Sequence, residues 1–144
     1  MRHSDRWLCV SFLMVLVTGG CGNRHDDELP KGHEVMAKAA PDGPGRAVVW
    51  MPQLGALGAT VSQPYQVWME SLQGERETRL VFEADKTDGV QLGWTGPTEL
   101  EICYVAAQIT RFQNFFVVAT ENSPQIYRVE ILLRKVPKLD DCHR

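Results

Sequence analysis

The chain has 144 residues, a formal net charge of -3 and 23% charged residues, a balance that excludes polybasic nucleic-acid-binding proteins and disordered acidic tails. Its length suits a single domain of ordinary size. Hydrophobic residues make up 44% of the sequence, including four Trp, three Tyr and five Phe, which is typical of a globular protein rather than a multi-span membrane protein.

An export signal is the first recognisable element. Arg2 and Arg6 precede an apolar run over residues 7–17. This run is shorter than the roughly 20 apolar residues that a transmembrane helix needs. A charged start followed by a short apolar segment is typical of a signal peptide. We therefore predict a signal peptide over residues 1–20.

The residues that follow the apolar run are small and end at a cysteine. Residues 17–21, Val-Thr-Gly-Gly-Cys, resemble the lipobox of bacterial lipoproteins, although Thr18 stands where leucine is usual. The resemblance implies that Cys21 carries a diacylglyceryl group and palmitate, and that these chains anchor the protein to a membrane on its periplasmic side. Position 22 is glycine and not the aspartate that commonly retains lipoproteins in the inner membrane. This difference favours the outer membrane. The alternative is an ordinary secretory signal that is cut elsewhere.

A polar segment separates the predicted anchor from the rest of the chain. Residues 21–45 contain Pro30, Pro41 and Pro44 and lack sustained periodicity. We predict that they form a flexible tether, with a short helix over residues 34–40 as an option. The folded domain is then expected to occupy residues 46–144.

Strand-like patterns follow one another from residue 46 to the C-terminal region. Turn residues such as Gly, Pro, Asp and Asn separate them. The runs are residues 47–51, 66–72, 79–83, 90–94, 100–104, 109–112, 115–120 and 127–133. Seven or eight short strands at this spacing predict an all-β fold, namely a small antiparallel sandwich or barrel.

Two of these runs alternate clearly between apolar and polar residues. Such alternation is typical of strands with one buried face. In the first run, the core face is predicted to carry Leu100, Ile102 and Tyr104, and the outward face Glu99, Glu101 and Cys103. In the second run, the core face is predicted to carry Tyr127, Val129, Ile131 and Leu133.

The cysteines support export to an oxidising compartment. Of the four, Cys9 leaves with the signal and Cys21 is used by the lipid, so Cys103 and Cys142 remain. We predict a disulfide between them, with the C-terminal segment crossing the outward face of the sheet to reach Cys103. The alternative is that Cys103 is a core residue and Cys142 a free thiol, which requires the strand register to shift by one residue.

Several short motifs together suggest a family. They are residues 40–43 leading into 46–49, Gly-Ala-Thr at 58–60, Trp94 with residues 100–104, and residues 127–131. In these motifs the chain resembles uncharacterised small bacterial exported proteins and lipoproteins. Members often carry a cysteine directly before Gly-Ala-Thr, where this chain has Leu57, so a disulfide at that position is not expected. The resemblance implies no established activity.

Residue patterns for catalysis and metal binding are weak. No histidine lies between residues 34 and 142, and no serine has a nucleophile-elbow setting. Glu99 and Glu101 are the best carboxylate pair, but their outward position predicts solvated charges rather than a glycosidase pair. Asp85 and Asp88 before Gly89 are interpreted as a turn and not as a calcium loop. We predict no enzyme activity, no cofactor and no metal.

Aromatic residues and one long loop are the remaining candidates for binding. Trp50, Trp68, Trp94 and Tyr65 are expected to belong mainly to the core, although they could form a binding platform. The overall hypothesis is a lipid-anchored, non-enzymatic cell-envelope domain that binds an envelope protein or has a structural role, without a nucleic-acid partner. The alternative is a periplasmic inhibitor of a cell-wall hydrolase, similar to small lipid-anchored lysozyme inhibitors, which would use the loop from Pro52 to Gln66 with Ser62 and Tyr65.

Overall fold

The structure is a computed structural model that describes residues 28–53, 63–74, 77–119 and 125–143. Within these ranges the chain forms nine strands and one short 3₁₀ helix, so the predicted all-β class is confirmed. The elements are β1 (Gly32–Ala39), β2 (Gly45–Pro52), β3 (Tyr65–Ser71), β4 (Thr78–Asp85), β5 (Val90–Gly96), β6 (Glu99–Tyr104), β7 (Gln108–Phe112), β8 (Phe115–Ala119), β9 (Ile126–Lys135) and a 3₁₀ helix (Leu139–His143).

The strands form two sheets, which makes the fold a sandwich. One sheet has the order β1-β2-β3-β4-β7 and the other has the order β5-β6-β9-β8. All neighbours are antiparallel except β6 and β9, which are parallel. The purely antiparallel arrangement expected from the sequence is therefore wrong for this pair. Parallel neighbours need a long crossover connection, and the chain from β6 to β9 supplies one that includes β7 and β8.

The core lies between the inner faces of the two sheets. Every second side chain along a strand points inward, and these inward side chains form the core. Leu100, Ile102, Val129 and Ile131 are almost fully buried, as predicted. The core cluster consists of Ala47, Val49, Val67, Met69, Val81, Phe82, Ala84, Val90, Leu92, Leu100, Ile102, Phe116, Val118, Val129 and Ile131.

β1 corrects the predicted tether. Residues 32–39 form a strand that pairs with β2 from Gly32 opposite Pro52 to Ala39 opposite Arg46. Neither a flexible segment nor the optional helix is present there. All eight β1 residues are exposed or half-buried, so the strand lacks the apolar alternation from which a strand is predicted. Backbone pairing with β2 holds β1 in place. Side-chain burial contributes little, because Met36 packs against the core but is only partly buried.

β7 and β8 are two halves of one extended segment that changes sheets. The backbone N–H of Gln113 donates to Val81 O in the first sheet. The next residue, Asn114, accepts a hydrogen bond at its carbonyl oxygen from the N–H of Ile131 in the second sheet. Strands that switch sheets in this way form corners of β-sandwiches. One side of the sandwich is therefore spanned by a continuous chain.

The opposite side is closed by two side chains that bond to backbone. Lys38 Nζ on β1 donates to Leu92 O on β5 at 2.8 Å. In return, Trp94 Nε1 on β5 donates to Lys38 O at 3.0 Å. Both acceptors belong to edge strands of their sheets. The two bonds therefore join the edges of the two sheets directly.

Strand register fixes which ends of the strands lie together. Gly32 of β1 lies opposite Pro52 of β2, and Asp85 of β4 lies opposite Gln108 of β7. Both pairs are at the same end of the sandwich, which we call the Gly32 end. β7 and β8 run away from this end, and β8 finishes with Ala119 opposite Ile126 of β9. Ile126 therefore lies at the opposite end of the sandwich from Gly32.

Two neighbouring residues of β9 test this register. Ile131 is 1% exposed and Leu132 is 46% exposed, although their side chains are isomers. We expect Ile131→Asp to lower the free energy of unfolding by more than about 3 kcal/mol, because it buries a charge in the core. Leu132→Asp should lower it by less than about 1 kcal/mol. Urea unfolding of both variants measures the difference, and equal losses would contradict the assigned faces.

Candidate functional site

The outer face of the four-stranded sheet carries the candidate site. Alternation turns one set of side chains away from the core on β6, β8 and β9. The C-terminal tail, defined as residues 136–143, contacts β5 and β6 on this side. Among the described residues, no further element is found over the part of the face that β8 and residues 126–132 of β9 form, so this part is open there. The face thus consists of a covered half and an open half.

A disulfide fastens the tail to the covered half. Cys103 on β6 is bonded to Cys142, with their Cα atoms 5.7 Å apart. Both cysteines are buried and form a small cluster with Val136, separate from the main core. Cys103 faces away from the core, as its place in the alternation predicted, and the tail covers it. The predicted pairing is therefore present, and the free-thiol alternative is not.

Arg134 adds polar contacts to the same attachment. Its Nη1 donates to Glu101 Oε2 at 3.1 Å, and its Nη2 donates to the backbone oxygen of Asp141 at 3.1 Å. The side chain of Glu101 is only 16% exposed, so water weakens this ion pair less than it would weaken an exposed one. Arg134 thereby connects β6, β9 and the tail.

Gly89 allows the tail to approach β5. It has a φ of 139°, which side-chain-bearing residues rarely adopt. A Cβ at this position would also lie 3.1 Å from Leu139 Cδ1. Gly89 therefore serves both the turn before β5, as predicted for the segment from Asp85 to Gly89, and the packing of the 3₁₀ helix.

One group of potential metal ligands exists among the described residues. The ligand atoms of Glu101, Cys103 and Cys142 lie within 4.8 Å of one another. The two sulfur atoms are bonded to each other, however, and offer no thiolate. The carboxylate of Glu101 is engaged by Arg134. In this state the cluster attaches the tail and does not provide the donor set of a metal site.

The open half presents apolar side chains together with one cation, Arg128, and one exposed anion, Glu130, which lies opposite Phe115. We call this surface the β8–β9 patch and define it by Phe115, Val117, Ile126, Arg128 and Leu132. Ile126 is 71% exposed, the largest value among the exposed large hydrophobic residues, and Leu132 is 46% exposed. The guanidinium carbon of Arg128 lies 4.8 Å from the centroid of the Phe115 ring, a cation–π geometry. Register places Val117 directly opposite Arg128.

The composition of the patch suits protein binding. Aromatic and arginine side chains are enriched where binding energy concentrates in protein interfaces, and exposed aliphatic groups lose water on contact. The alternation along residues 127–134 predicted an outward position for Leu132, which is a partial signal for this site. Phe115 and Val117 were missed, because their outward position depends on the sheet switch before β8.

The predicted carboxylate candidates have partners within the chain. Glu101 binds Arg134, and Glu99 accepts a hydrogen bond from the hydroxyl of Thr95. Both glutamates lie on the outward side of β6, as predicted. Their arrangement is that of polar side chains stabilising an outer face.

The four aromatic candidates do not share one surface. Tyr65 and Trp94 pack partly buried against the core, in line with the prediction. Trp68 is 3% exposed, yet alternation places it with Trp50 on the outer side of the five-stranded sheet. Trp68 Nε1 donates to Gln66 Oε1 at 3.0 Å. Burial thus agrees with the core prediction for Tyr65, Trp68 and Trp94, although Trp68 lies on the outer side of its sheet, and the four residues do not form a common binding platform.

Other predicted site residues lie outside the described part of the chain. These are Cys21 and most of the loop between Pro52 and Gln66, including Ser62. Among the described residues, no helix is long and apolar enough to cross a membrane. Comparisons with protein-family models, curated proteins and solved structures find no match to this chain.

Removal of the disulfide tests its role in stability. The chain-entropy model gives about 4 kcal/mol for closing a loop of this length, with a sequence separation of 39. We expect the double substitution Cys103→Ala and Cys142→Ala to lower the free energy of unfolding by roughly 2–4 kcal/mol. Urea unfolding under non-reducing conditions measures the loss. The processed protein, without Cys9 and with lipid on Cys21, should show no titratable thiol in denaturant, and two titratable thiols in that protein would contradict the structure.

Proposed function

We propose that the chain is an exported, lipid-anchored β-sandwich of the bacterial cell envelope that acts by binding another envelope protein and not by catalysis. The partner would contact the β8–β9 patch. It would offer an apolar surface and a carboxylate, since Arg128 has a ring contact but no acidic partner among the described residues. This proposal agrees with the resemblance to small bacterial lipoproteins.

The disulfide supports the proposal that the protein is exported. Disulfides persist in oxidising compartments such as the periplasm and are rare in the cytosol. Cys103 and Cys142 are the two cysteines that remain once Cys9 and Cys21 are assigned to the signal and the anchor. Their pairing is what a protein exported through such a signal would form.

The proposal that the domain binds a partner rests on the position of Ile126 relative to the anchor. Eleven residues lead from Cys21 to Gly32, and so many residues span at most about 40 Å. The Gly32 end of the sandwich would therefore face the membrane at close range. Ile126 lies at the opposite end of the sandwich and is exposed, so in the proposed orientation it would face the compartment and not the lipid.

Lipid attachment is tested at Cys21. We expect Cys21→Ser to abolish palmitate labelling and to release the protein from the membrane fraction, because the thiol that carries the lipid is lost. Cys9→Ser is the matched control, since Cys9 lies in the segment predicted to be removed, and its labelling should equal that of the unsubstituted chain. Undiminished labelling of Cys21→Ser would refute the anchor.

The binding surface is tested by substitutions on β9. Ile126→Ser and Leu132→Ser should each weaken capture of an envelope protein by about tenfold or more, since each removes apolar area worth roughly 1.5–3 kcal/mol when buried. Val35→Ser on β1 is the control, because Val35 is also exposed, at 45%, but lies outside the patch. The measurement is quantitative cross-linking and pull-down from envelope extracts. A partner captured equally by all three variants would assign binding to another surface.

A further inference from the structure

Three of the four edge strands carry features that block further strand pairing. β1 has a bulge between Glu34 and Met36, and its edge carbonyl at Lys38 accepts the Trp94 N–H. β5 is bonded by Lys38 Nζ and lies beside the tail. β7 has a bulge at Thr110, whose hydroxyl bonds back to Glu83 O. Bulges, lysines and covering segments are the means by which proteins protect sheet edges.

β8 lacks these features. Its sequence, Phe-Phe-Val-Val-Ala, contains no charge, proline or glycine, and its register with β9 is unbroken. Phe116 and Val118 are fully buried, so the strand is fixed firmly in the core. Five uncharged residues, four of them with high β-propensity, on a regular edge are the type of strand that pairs with another chain.

Backbone groups on the edge of β8 point away from β9. The carbonyl oxygen of Asn114 bonds to β9, and in an antiparallel pair this orientation alternates along the strand. The N–H and C=O groups of Phe115, Val117 and Ala119 therefore face the edge. Within the described part of the chain these groups have no hydrogen-bond partner. An extended strand laid beside β8 would satisfy them.

We propose that this strand is β8 of a second copy, paired antiparallel about a two-fold axis at Val117. In this register Phe115 lies opposite Ala119 of the other copy, and Phe116 lies opposite Val118. Each phenylalanine meets a smaller side chain, and no charge meets a charge. The two four-stranded sheets would become one sheet of eight strands with closed two-fold symmetry.

Charges near the axis permit this contact. Arg128 is the charged residue opposite Val117 on the neighbouring strand. In the paired sheet, the two copies of Arg128 would be three strand spacings apart, about 14 Å. This separation exceeds the Debye length of about 8 Å at physiological ionic strength, so their repulsion is largely screened. The β8–β9 patch would stay open, since pairing uses the edge of β8 and not its outer face.

Self-association goes beyond the proposed function and does not depend on lipid at Cys21. Its test uses the processed protein, purified in detergent if it is lipidated, and sedimentation velocity over a concentration series. The unsubstituted chain should form dimers. Val117→Lys and Val117→Asp should each weaken dimerisation by at least about tenfold, because two like charges would meet at the axis. Val117→Thr should dimerise like the unsubstituted chain.

Mixing the two charged variants gives the decisive comparison. An equimolar mixture of Val117→Lys and Val117→Asp should restore dimers, because residue 117 of one copy faces residue 117 of the other. Circular dichroism confirms that each variant is folded. A monomeric unsubstituted chain at about 100 µM, a concentration that suits weak protein pairs, would overturn the proposal. Mixed variants that stay monomeric would overturn it as well.

Cysteine cross-linking provides an independent measurement that does not need charged variants. Val117→Cys should give an intermolecular disulfide under mild oxidation, since the two copies of residue 117 would lie opposite each other. Val35→Cys on β1 is the matched control, because Val35 is exposed but lies at a bulge on a protected edge. Cross-linking of Val35→Cys to the same extent as Val117→Cys would exclude the β8 interface.

Discussion

Two backbone hydrogen bonds at adjacent residues determine how the sheets are joined. Gln113 bonds to Val81 in one sheet, and Asn114 bonds to Ile131 in the other. Because the chain changes sheets at this point, β8 becomes an edge strand beside β9 instead of extending the sheet of β7. The same switch forms part of the crossover that allows β9 to lie parallel to β6. The open patch and the unprotected edge both follow from the position that this switch gives to β8.

Sequence patterns predicted the parts of the fold that depend on one strand and its own alternation. The inward positions of Ile102 and Ile131 and the outward position of Cys103 are local properties of their strands, and all three were predicted. β1 was missed because its stability comes from backbone pairing and not from a buried face. The parallel pairing of β6 and β9 was missed because register between distant strands leaves no local pattern. For the candidate site, the disulfide was predicted from compartment and cysteine number, whereas the patch depended on topology.

The outer face has a covered half and an open half because the C-terminal tail extends over only one part of it. The tail occupies the half near β5 and β6, where Cys103 and Glu101 provide attachment points. On the other half, Phe115 and Arg128 contact each other, and no side-chain hydrogen bond or ion pair joins them to another segment of the described chain. A second copy joined through β8 would place two such open halves side by side on one continuous sheet. A partner with two equivalent surfaces would then bind both at once, with a gain in effective concentration.

The direction of β1 has a mechanical consequence. The chain enters β1 at Gly32, and the strand runs from there along the length of the sandwich, antiparallel to β2. A membrane anchor at Cys21 and a partner at Ile126 would pull on opposite ends of the sandwich. Such a load acts along the strands, perpendicular to the hydrogen bonds between β1 and β2. The bonds along β1 would therefore resist it together in shear, whereas a sideways pull at the same strand would break them one after another.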